Sequence, residues 1–222
     1  MSTERIVLLG HGSGGLLSHA LVREVFLTHF GDAEAVQEDA AEISLADAQG
    51  RLAGKVVVTT DSYVVKPRFF SGGDIGKLAV CGTVNDLAMR GARPLYLTAG
   101  FILEEGLGLD ELEQVARSMA AAAREAGVRI VAGDTKVVER GGADGLFINT
   151  AGVGLVPEGV DIGASRAQAA DAILLSGAIG DHGLTIMTQR EGLRFEGALQ
   201  SDCAPLSGLV EALLAAAPTH VH

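Results

Sequence analysis

The chain is poor in aromatic residues and in cysteine. Its 222 residues include no Trp, two Tyr and two Cys, and 48% of the residues are apolar, so the core must be built from Val, Leu, Ala and Ile. Cys81 and Cys203 lie far apart and match no metal-binding or redox spacing. Cys81 follows Leu-Ala-Val, which is typical of a buried small apolar side chain. The cysteines therefore give no sign of a metal or redox centre.

Basic residues and long apolar runs are also scarce. Lys and Arg number 17 against 28 Asp and Glu, which gives a net charge of −11. A broad nucleic-acid surface needs clustered cations against phosphates, whereas an acidic surface is most simply explained by solubility. No apolar run approaches the roughly 18 residues of a membrane span, and the chain does not open with a secretory pattern. We expect a soluble, cytoplasmic protein without nucleic-acid or membrane partners.

Glycine, by contrast, is abundant, with 30 residues, about twice the usual share of roughly 7%. Residues 10–15 satisfy the dinucleotide-binding pattern between a predicted strand (6–9) and a predicted helix (16–30). No hydrophobic strand precedes the acidic residues Asp32 and Glu34, which disfavours a nicotinamide site. Two interpretations stay open for this loop: backbone amides that face a phosphate, or a structural turn.

Apolar periodicity predicts a chain of mixed strands and helices. We expect strands over residues 56–65, 94–103, 129–138, 146–156 and 172–175, and helices over 75–90, 110–126 (capped by Asp110), 183–191 and 208–217. Residues 36–43 are weakly patterned and fit an edge strand or a loop. The composition of residues 139–145 predicts a hairpin loop between two strands.

The polar stretch after Pro157 predicts a domain boundary. We expect an N-terminal domain over residues 1–157 and a second domain over residues 158–222. The second domain is small for an independent core, so we expect an incomplete α+β domain in a chain truncated at its C-terminus.

Three acidic residues lie at the edges of apolar segments: Asp61, Asp86 and Asp134. Taken singly, Asp61 could cap a turn through Ser62, Asp86 could be a solvated helix residue, and Asp134 could pair with Lys136. A carboxylate at the end of a buried strand costs free energy unless a charge or a hydrogen bond meets it. Mg²⁺ takes oxygen ligands and usually binds together with substrate phosphates. Together the three residues predict one metal–phosphate centre.

Other motifs are weaker. Residues 72–77 resemble a Walker loop but lack Gly at Ser71 and Ser or Thr at Leu78, which leaves Lys77 as a surface or pocket-rim cation. There is no Gly-x-Ser-x-Gly segment of the kind that serine hydrolases use.

Seven segments, in order along nearly the whole chain, resemble the HypE family of hydrogenase maturation factors, within the aminoimidazole ribonucleotide synthetase-like ATP-binding superfamily. The segments are His-Gly-Ser-Gly-Gly (11–15), Thr-Asp-Ser-Tyr (60–63), Gly-Gly-Asp-Ile-Gly-Lys-Leu (72–78), Gly-Thr-Val-Asn-Asp-Leu (82–87), Gly-Phe-Ile-Leu-Glu-Glu-Gly (100–106), Gly-Asp-Thr-Lys-Val-Val (133–138) and Ser-Gly-Ala-Ile-Gly-Asp-His-Gly (176–183). The segment at 133–138 separates this family from the purine and selenophosphate enzymes of the superfamily.

The resemblance implies an α/β (α+β) fold, with a two-layer N-terminal domain whose mixed sheet pairs with that of a second subunit. It implies ATP and Mg²⁺ as cofactors, with Asp61, Asp86 and Asp134 as metal ligands and Lys136 as a catalytic residue that meets phosphate. The remaining expected nucleotide contacts are Gly12, Gly14, Gly15, Asn85, Gly133 and Thr135.

The implied activity is the ATP-dependent dehydration of a carbamoyl group, carried as a thiocarboxamide on a C-terminal cysteine, to a thiocyanate. This product supplies cyanide to the iron of [NiFe] hydrogenase, with the carbamoyltransferase HypF and the HypC–HypD scaffold as partners. The family's later Asp-Pro-Thr-Arg-Gly-Gly region and its Pro-Arg-Ile-Cys tail are missing from this sequence, so we expect the chain alone to be inactive. The alternatives are a catalytically silent, partner-binding fragment or another ATP-dependent synthetase of the superfamily.

Overall fold

The computed structural model describes residues 15–21, 23, 41–46, 52–193 and 199–217. The chain divides into two compact units, residues 1–37 and 38–222. In the first unit, helix α1 (Gly15–Leu21) confirms the start of the predicted helix. The predicted strand at residues 6–9 and the glycines at positions 12 and 14 lie outside the described residues. The predicted domain boundary after residue 157 stays a prediction.

The second unit is built on a mixed five-stranded sheet, as expected for an α/β chain. Its strands are β1 (Ala41–Ala46), β2 (Leu52–Tyr63), β5 (Arg93–Glu104), β6 (Arg129–Val138) and β7 (Leu146–Val156). Their order across the sheet is β1-β2-β7-β5-β6. Strands β5 and β6 are parallel, and the other neighbours are antiparallel. The short strands β3 (Phe69–Phe70) and β4 (Gly73–Asp74) form a separate ribbon.

The predicted hairpin between β6 and β7 is wrong. Strand β7 pairs with β2 and β5, so residues 139–145 carry the chain across β5 instead of folding β7 back onto β6. A glycine-rich loop marks a turn but not the strand edge to which the chain returns. Burial explains the choice: one row of β7, which includes Leu146 and Ile148, is almost fully buried, whereas β6 is exposed along nearly its whole length. The more apolar strand takes the covered central position.

The described part of the second unit also contains four α-helices: α2 (Ile75–Met89), α3 (Leu109–Glu125), α4 (Asp181–Glu191) and α5 (Ser207–Ala216). Helix α2 packs on one face of the sheet and α3 packs beside it, because Val84, Leu97 and Val115 belong to one buried cluster. A Cβ at Gly152 of β7 would lie 2.8 Å from Thr83 Cγ2 of α2. The absence of a side chain at this position therefore lets the helix approach the sheet closely.

The N-terminus of α2 lies where it was predicted, whereas that of α3 differs from the prediction. The Asp74 Oδ1 accepts hydrogen bonds from the backbone amides of Gly76 (2.7 Å) and Lys77 (3.0 Å). This cap occupies the amides that a Walker loop would offer to phosphate. Asp110 does not cap α3, whose N-cap is Gly108; Asp110 lies in the first helical turn, where its charge still interacts favourably with the helix dipole.

The predicted strand at residues 172–175 is not formed. Ile173, Leu174 and Leu175 are highly exposed in irregular backbone, and none of the described strands pairs with them. A short apolar run forms a strand only when a neighbouring strand satisfies its backbone groups. Within the described part of the chain, no helix is both long and apolar enough to cross a membrane.

Candidate functional site

Asp61 lies near the end of β2, on the side of the sheet that α2 covers. Successive side chains of a strand point to opposite faces, and both Thr59 and Tyr63 of β2 contact α2 residues. Asp61 lies between them in the same row. Its side chain is exposed, and its Oδ1 accepts a hydrogen bond of 2.7 Å from the Ser62 amide, which is the local contact expected from the sequence. The carboxylate remains open to solvent and can accept further ligands.

Asp86 is held on the same side by Thr59. The Thr59 Oγ1 donates a hydrogen bond of 3.1 Å to Asp86 Oδ2 across the boundary between β2 and α2. Asp61 is the next residue on this face of β2, about 7 Å along the strand. Asp86 is therefore not a freely solvated helix residue, and the structure brings two of the three predicted carboxylates into one neighbourhood.

A buried chain of hydroxyl groups lies beside these carboxylates. Thr150 donates to the Ala79 carbonyl (2.9 Å), and because it has only one proton it must accept from Thr83 (2.5 Å). Thr83 must in turn accept from Tyr63 (3.0 Å). Burial raises the pKa of Tyr63, and the charges of Asp61 and Asp86 add to this effect. The phenol is therefore neutral and fixes β2 against α2 beneath the two carboxylates.

Asn85, a predicted nucleotide contact, has a different role in the structure. Its Nδ2 donates to the Ala204 carbonyl (3.1 Å), and its Oδ1 accepts from the Leu206 amide (2.7 Å). Both ends of the amide therefore hold the backbone that precedes α5. Each end of the amide already makes one hydrogen bond to this backbone, and the contact of Asn85 with a nucleotide stays a prediction.

Asp134 and Lys136 lie on the opposite face of the sheet. The register aligns Asp134 with Gly100, Asn149 and Ser62 across four strands, and this row points away from α2. Asp134 is thus separated from Asp61 by three strand spacings, about 14 Å, as well as by the sheet itself. Within one chain the structure does not bring the three aspartates together.

The neighbours of Asp134 in β6 point to the helix-covered face. Gly133 aligns with Ala99, and Thr135 aligns with Phe101. A Cβ at Gly133 would lie 2.6 Å from the Ala99 carbonyl oxygen. Packing against β5 therefore requires glycine at this position, whether or not a nucleotide binds there. Gly15 begins α1 in the first unit, with a φ of +76° that favours glycine.

The predicted metal ligands fit a Mg²⁺ site only in part. No group of three or more His, Cys, Asp or Glu side chains that could hold a metal occurs in the described part of the chain. Mg²⁺ bound with a nucleotide commonly takes only one or two protein carboxylates, with phosphate and water oxygens as the other ligands. Asp61 and Asp86 satisfy that smaller requirement.

A large cavity lies at the other end of the sheet. Its volume is about 850 Å³, and its lining includes Pro94, Leu155, Pro157, Val210 and Leu214. The register places Val156 opposite Lys55, six residues from Asp61 along β2. The cavity is therefore remote from the carboxylates and mostly apolar.

Sequence reasoning did not identify Thr59 and Tyr63 as site residues. Both flank Asp61 at a spacing of two, so the alternation of a strand was a signal that they share its face. The partners of Thr59 and Tyr63 on α2 could not be read from the sequence, because they depend on how the helix lies across the strand.

Comparisons with known proteins agree with this fold. The N-terminal domain of AIR synthase related proteins matches residues 37–156. The chain is 55% identical over 209 residues to carbamoyl dehydratase HypE of Azotobacter vinelandii, a match that covers 94% of this chain and 60% of that protein. It thus spans about three fifths of the length of the curated relatives it matches.

Solved structures give the same result. The structure of a HypE–HypF complex is similar with a TM-score of 0.80 and 53% identity, covering 89% of this chain and 62% of that one. A HypE structure in complex with ATP is similar with a TM-score of 0.67 and 52% identity, covering 94% and 61%.

Proposed function

We propose that this chain, which belongs to the AIR synthase related family and within it to the HypE proteins, contributes the nucleotide-binding part of an ATP-dependent carbamoyl dehydratase that acts in hydrogenase maturation. The observation that carries the proposal is the pair of carboxylates, Asp61 and Asp86, held on one side of β2 with Thr59 between strand and helix. The ATP complex of a relative with 52% identity supports a nucleotide at this fold.

In this proposal Asp61 and Asp86 hold Mg²⁺. When bound, the metal would neutralise phosphate charge during phosphoryl transfer. The chain's own contribution is to position these groups. Thr59 orients Asp86, and the buried Tyr63 phenol holds β2 and α2 in a fixed relative position. Lys136 would meet phosphate as a point charge.

The proposed reaction removes water from a thiocarboxamide. The amide oxygen is a poor leaving group until it is phosphorylated by ATP. Loss of that oxygen as phosphate, together with the two N–H protons, leaves a thiocyanate and gives ADP and inorganic phosphate. Little covalent chemistry is required of the protein, because catalysis of phosphoryl transfer is mainly a matter of position and charge.

We further propose that the complete site forms between two subunits. Asp134 and Lys136 lie on the sheet face that α2 does not cover. The same face exposes Tyr96, Ile102, Val153 and Leu155, each with 36–43% of its surface accessible. An apolar sheet face of this kind favours association. Among the described residues, β1 pairs with β2 only as far as Val58, so in a dimer formed through these faces Asp134 and Lys136 of one subunit would meet Asp61 and Asp86 of the other around this edge of β2.

A similar structure supports one of the proposed partners. One similar structure is a complex of HypE with HypF, which supports the carbamoyltransferase HypF as a partner of this chain. The HypC–HypD scaffold would receive the product, and the proposal places the protein in the cytoplasm, where ATP is available.

Calorimetric titration of ATP with and without Mg²⁺ tests the site. Asp61→Asn, Asp86→Asn and Asp134→Asn should each remove most of the Mg²⁺-dependent affinity while keeping the fold. Asp144→Asn is the control, because Asp144 is an exposed acid outside the candidate site. Its Oδ1 lies 3.0 Å from Lys66 Nζ. Parent-like binding by all three variants would contradict the assignment.

Mixing two variants tests the subunit arrangement. If the site is shared, dimers of one Asp61→Asn chain and one Asp134→Asn chain contain one intact site and one doubly altered site. The mixture should then recover tight binding that neither variant shows alone. Failure to recover after verified subunit exchange would contradict the shared site.

A further inference from the structure

The two cysteines, far apart in sequence, meet on one face of α2. Cys81 and Asn85 are four residues apart in this helix and therefore share a face. Asn85 binds the backbone of Ala204 and Leu206 with hydrogen bonds of 3.1 and 2.7 Å. The segment that contains Cys203 is thereby held against the helix, one turn from Cys81.

The other end of the same segment is also fixed. The Ser201 amide donates to the Ser71 carbonyl at 2.9 Å, just before α2 begins. The Ser201 hydroxyl accepts from the Cys203 amide at 3.2 Å. Residues 201–206 thus run alongside α2 from its N-terminal end to Asn85, with Cys203 between the two anchors.

The side chains of the two cysteines are in contact. Cys203 packs against the buried cluster that contains Cys81, and each thiol influences the pKa of the other. Cys81 is 1% exposed and Cys203 is half-buried, and both are free thiols. Only Cys203 is therefore accessible to a small reagent.

The pKa shifts of the two thiols agree with this difference in accessibility. The Cys81 thiol lowers the pKa of Cys203, and the ammonium group of Lys77 acts in the same direction, whereas burial and the charges of Asp202 and Asp74 oppose it. The pKa of Cys81 is raised, first by the Cys203 thiol and then by burial. Cys203 is the better nucleophile of the pair, and Cys81 remains a thiol.

We propose that Cys81 and Cys203 form an oxidation site for hydroperoxides, which closes to an intrachain disulfide and fastens residues 201–206 to α2. The proposal does not depend on ATP binding or on the dehydratase activity. It differs from the sequence-based interpretation, which treated the two cysteines as unrelated.

The chemistry balances with one hydroperoxide. The Cys203 thiolate attacks the peroxide, the O–O bond breaks, and a sulfenic acid and hydroxide form. Cys81 then attacks the Cys203 sulfur, its proton leaves with the hydroxyl group as water, and an S–S bond forms. In total the two thiols lose two electrons and two protons, and hydrogen peroxide is reduced to two waters, or an organic hydroperoxide to an alcohol and one water.

Peptide mapping by mass spectrometry tests the proposal. The folded 222-residue chain is treated with a small excess of hydrogen peroxide, alkylated and digested without reduction. We expect a peptide pair joined through Cys81 and Cys203, reversible by a thiol reductant, in the parent but not in Cys203→Ser or Cys81→Ala. The oxidised parent should also unfold at a higher temperature than the reduced parent, because the cross-link restricts the unfolded chain.

The controls separate this outcome from the others. Cys203→Ser keeps a small polar group at the accessible position but cannot form the disulfide. Its midpoint of thermal unfolding should therefore not change on treatment with peroxide. Three results would overturn the proposal: a disulfide between chains, a sulfinic acid on Cys203 beside an unreacted Cys81, or a cross-link that appears only after denaturation. No reaction of either thiol would overturn it as well.

Discussion

The Thr59 hydroxyl donates a hydrogen bond of 3.1 Å to the Asp86 carboxylate and so joins β2 to α2. Asp61 lies two residues further along β2, on the same face as Thr59. A charged acceptor makes this a stronger bond than a neutral pair would form. Through it, a strand residue fixes the orientation of a carboxylate that belongs to a helix. The geometry of the candidate site therefore depends on the packing between two elements, and not on the acidic residues alone.

Replacement of Thr59 tests this dependence. Thr59→Val keeps the shape of the side chain and removes the hydroxyl, so the chain should fold while Mg²⁺-dependent ATP affinity falls by up to about tenfold. Thr185→Val is the matched control, because the buried Thr185 hydroxyl has no hydrogen-bond partner among the described residues. Calorimetry on both variants makes the comparison, and equal affinities would show that Thr59 does not position Asp86.

Asn85 should affect stability more than nucleotide binding. Asn85→Ala removes both contacts to the backbone of residues 204 and 206 and leaves these half-buried groups without that partner. We expect a loss of about 1–3 kcal/mol in the free energy of unfolding, measured by denaturant titration, with ATP affinity nearly unchanged. The neighbouring Asp86→Asn should show the reverse. A large loss of affinity in a stable Asn85→Ala chain would instead support the predicted nucleotide contact.

Glu104 should make stability depend on pH. Its carboxylate accepts hydrogen bonds from the amides of Gly141 (2.6 Å) and Gly145 (2.8 Å), and these bonds lower its pKa. A lowered pKa in the folded state gives stability that is fully present above the unfolded pKa of about 4.3. This stability is lost as the pH falls through the lower, folded pKa.

Glu104→Gln should therefore unfold at a lower temperature than the parent near pH 7, and the difference should shrink in acid. Glu105→Gln, an exposed neighbour, is the control. Thermal melts across the acidic range provide the measurement. If the difference in unfolding temperature between Glu104→Gln and the parent stays constant as the pH falls, the charge of Glu104 does not cause the loss of stability.

The uncovered sheet face should carry the association of the chain. Val153→Glu places a charge among Tyr96, Ile102 and Leu155, so a dimer formed through this face should dissociate to monomers. Leu109→Glu is the control, since Leu109 is 80% exposed at the start of α3, away from the sheet. Light scattering at micromolar concentration measures the mass. A monomeric parent, or a Val153→Glu chain that remains dimeric, would contradict the proposed interface.

Several features could be predicted from the sequence because they arise from local chemistry. The strands at residues 129–138 and 146–156 have the predicted limits, and α2 begins where the glycine-rich segment ends. Side-chain alternation and helical periodicity act over a few residues and do not require knowledge of the partner. The ordered motifs, from Thr-Asp-Ser-Tyr to Gly-Asp-Thr-Lys, likewise identified the HypE family without reference to the fold.

The structure decided what depends on distant contacts. It placed β7 between β2 and β5, which the loop at residues 139–145 could not show. It put Asp134 on the face opposite to Asp61, because side-chain direction across a sheet depends on the register of every intervening strand. It also brought Cys203 to Cys81 through anchors at Ser201 and Asn85. The sequence alone determined which residues are available for chemistry, and long-range packing determined which of them meet.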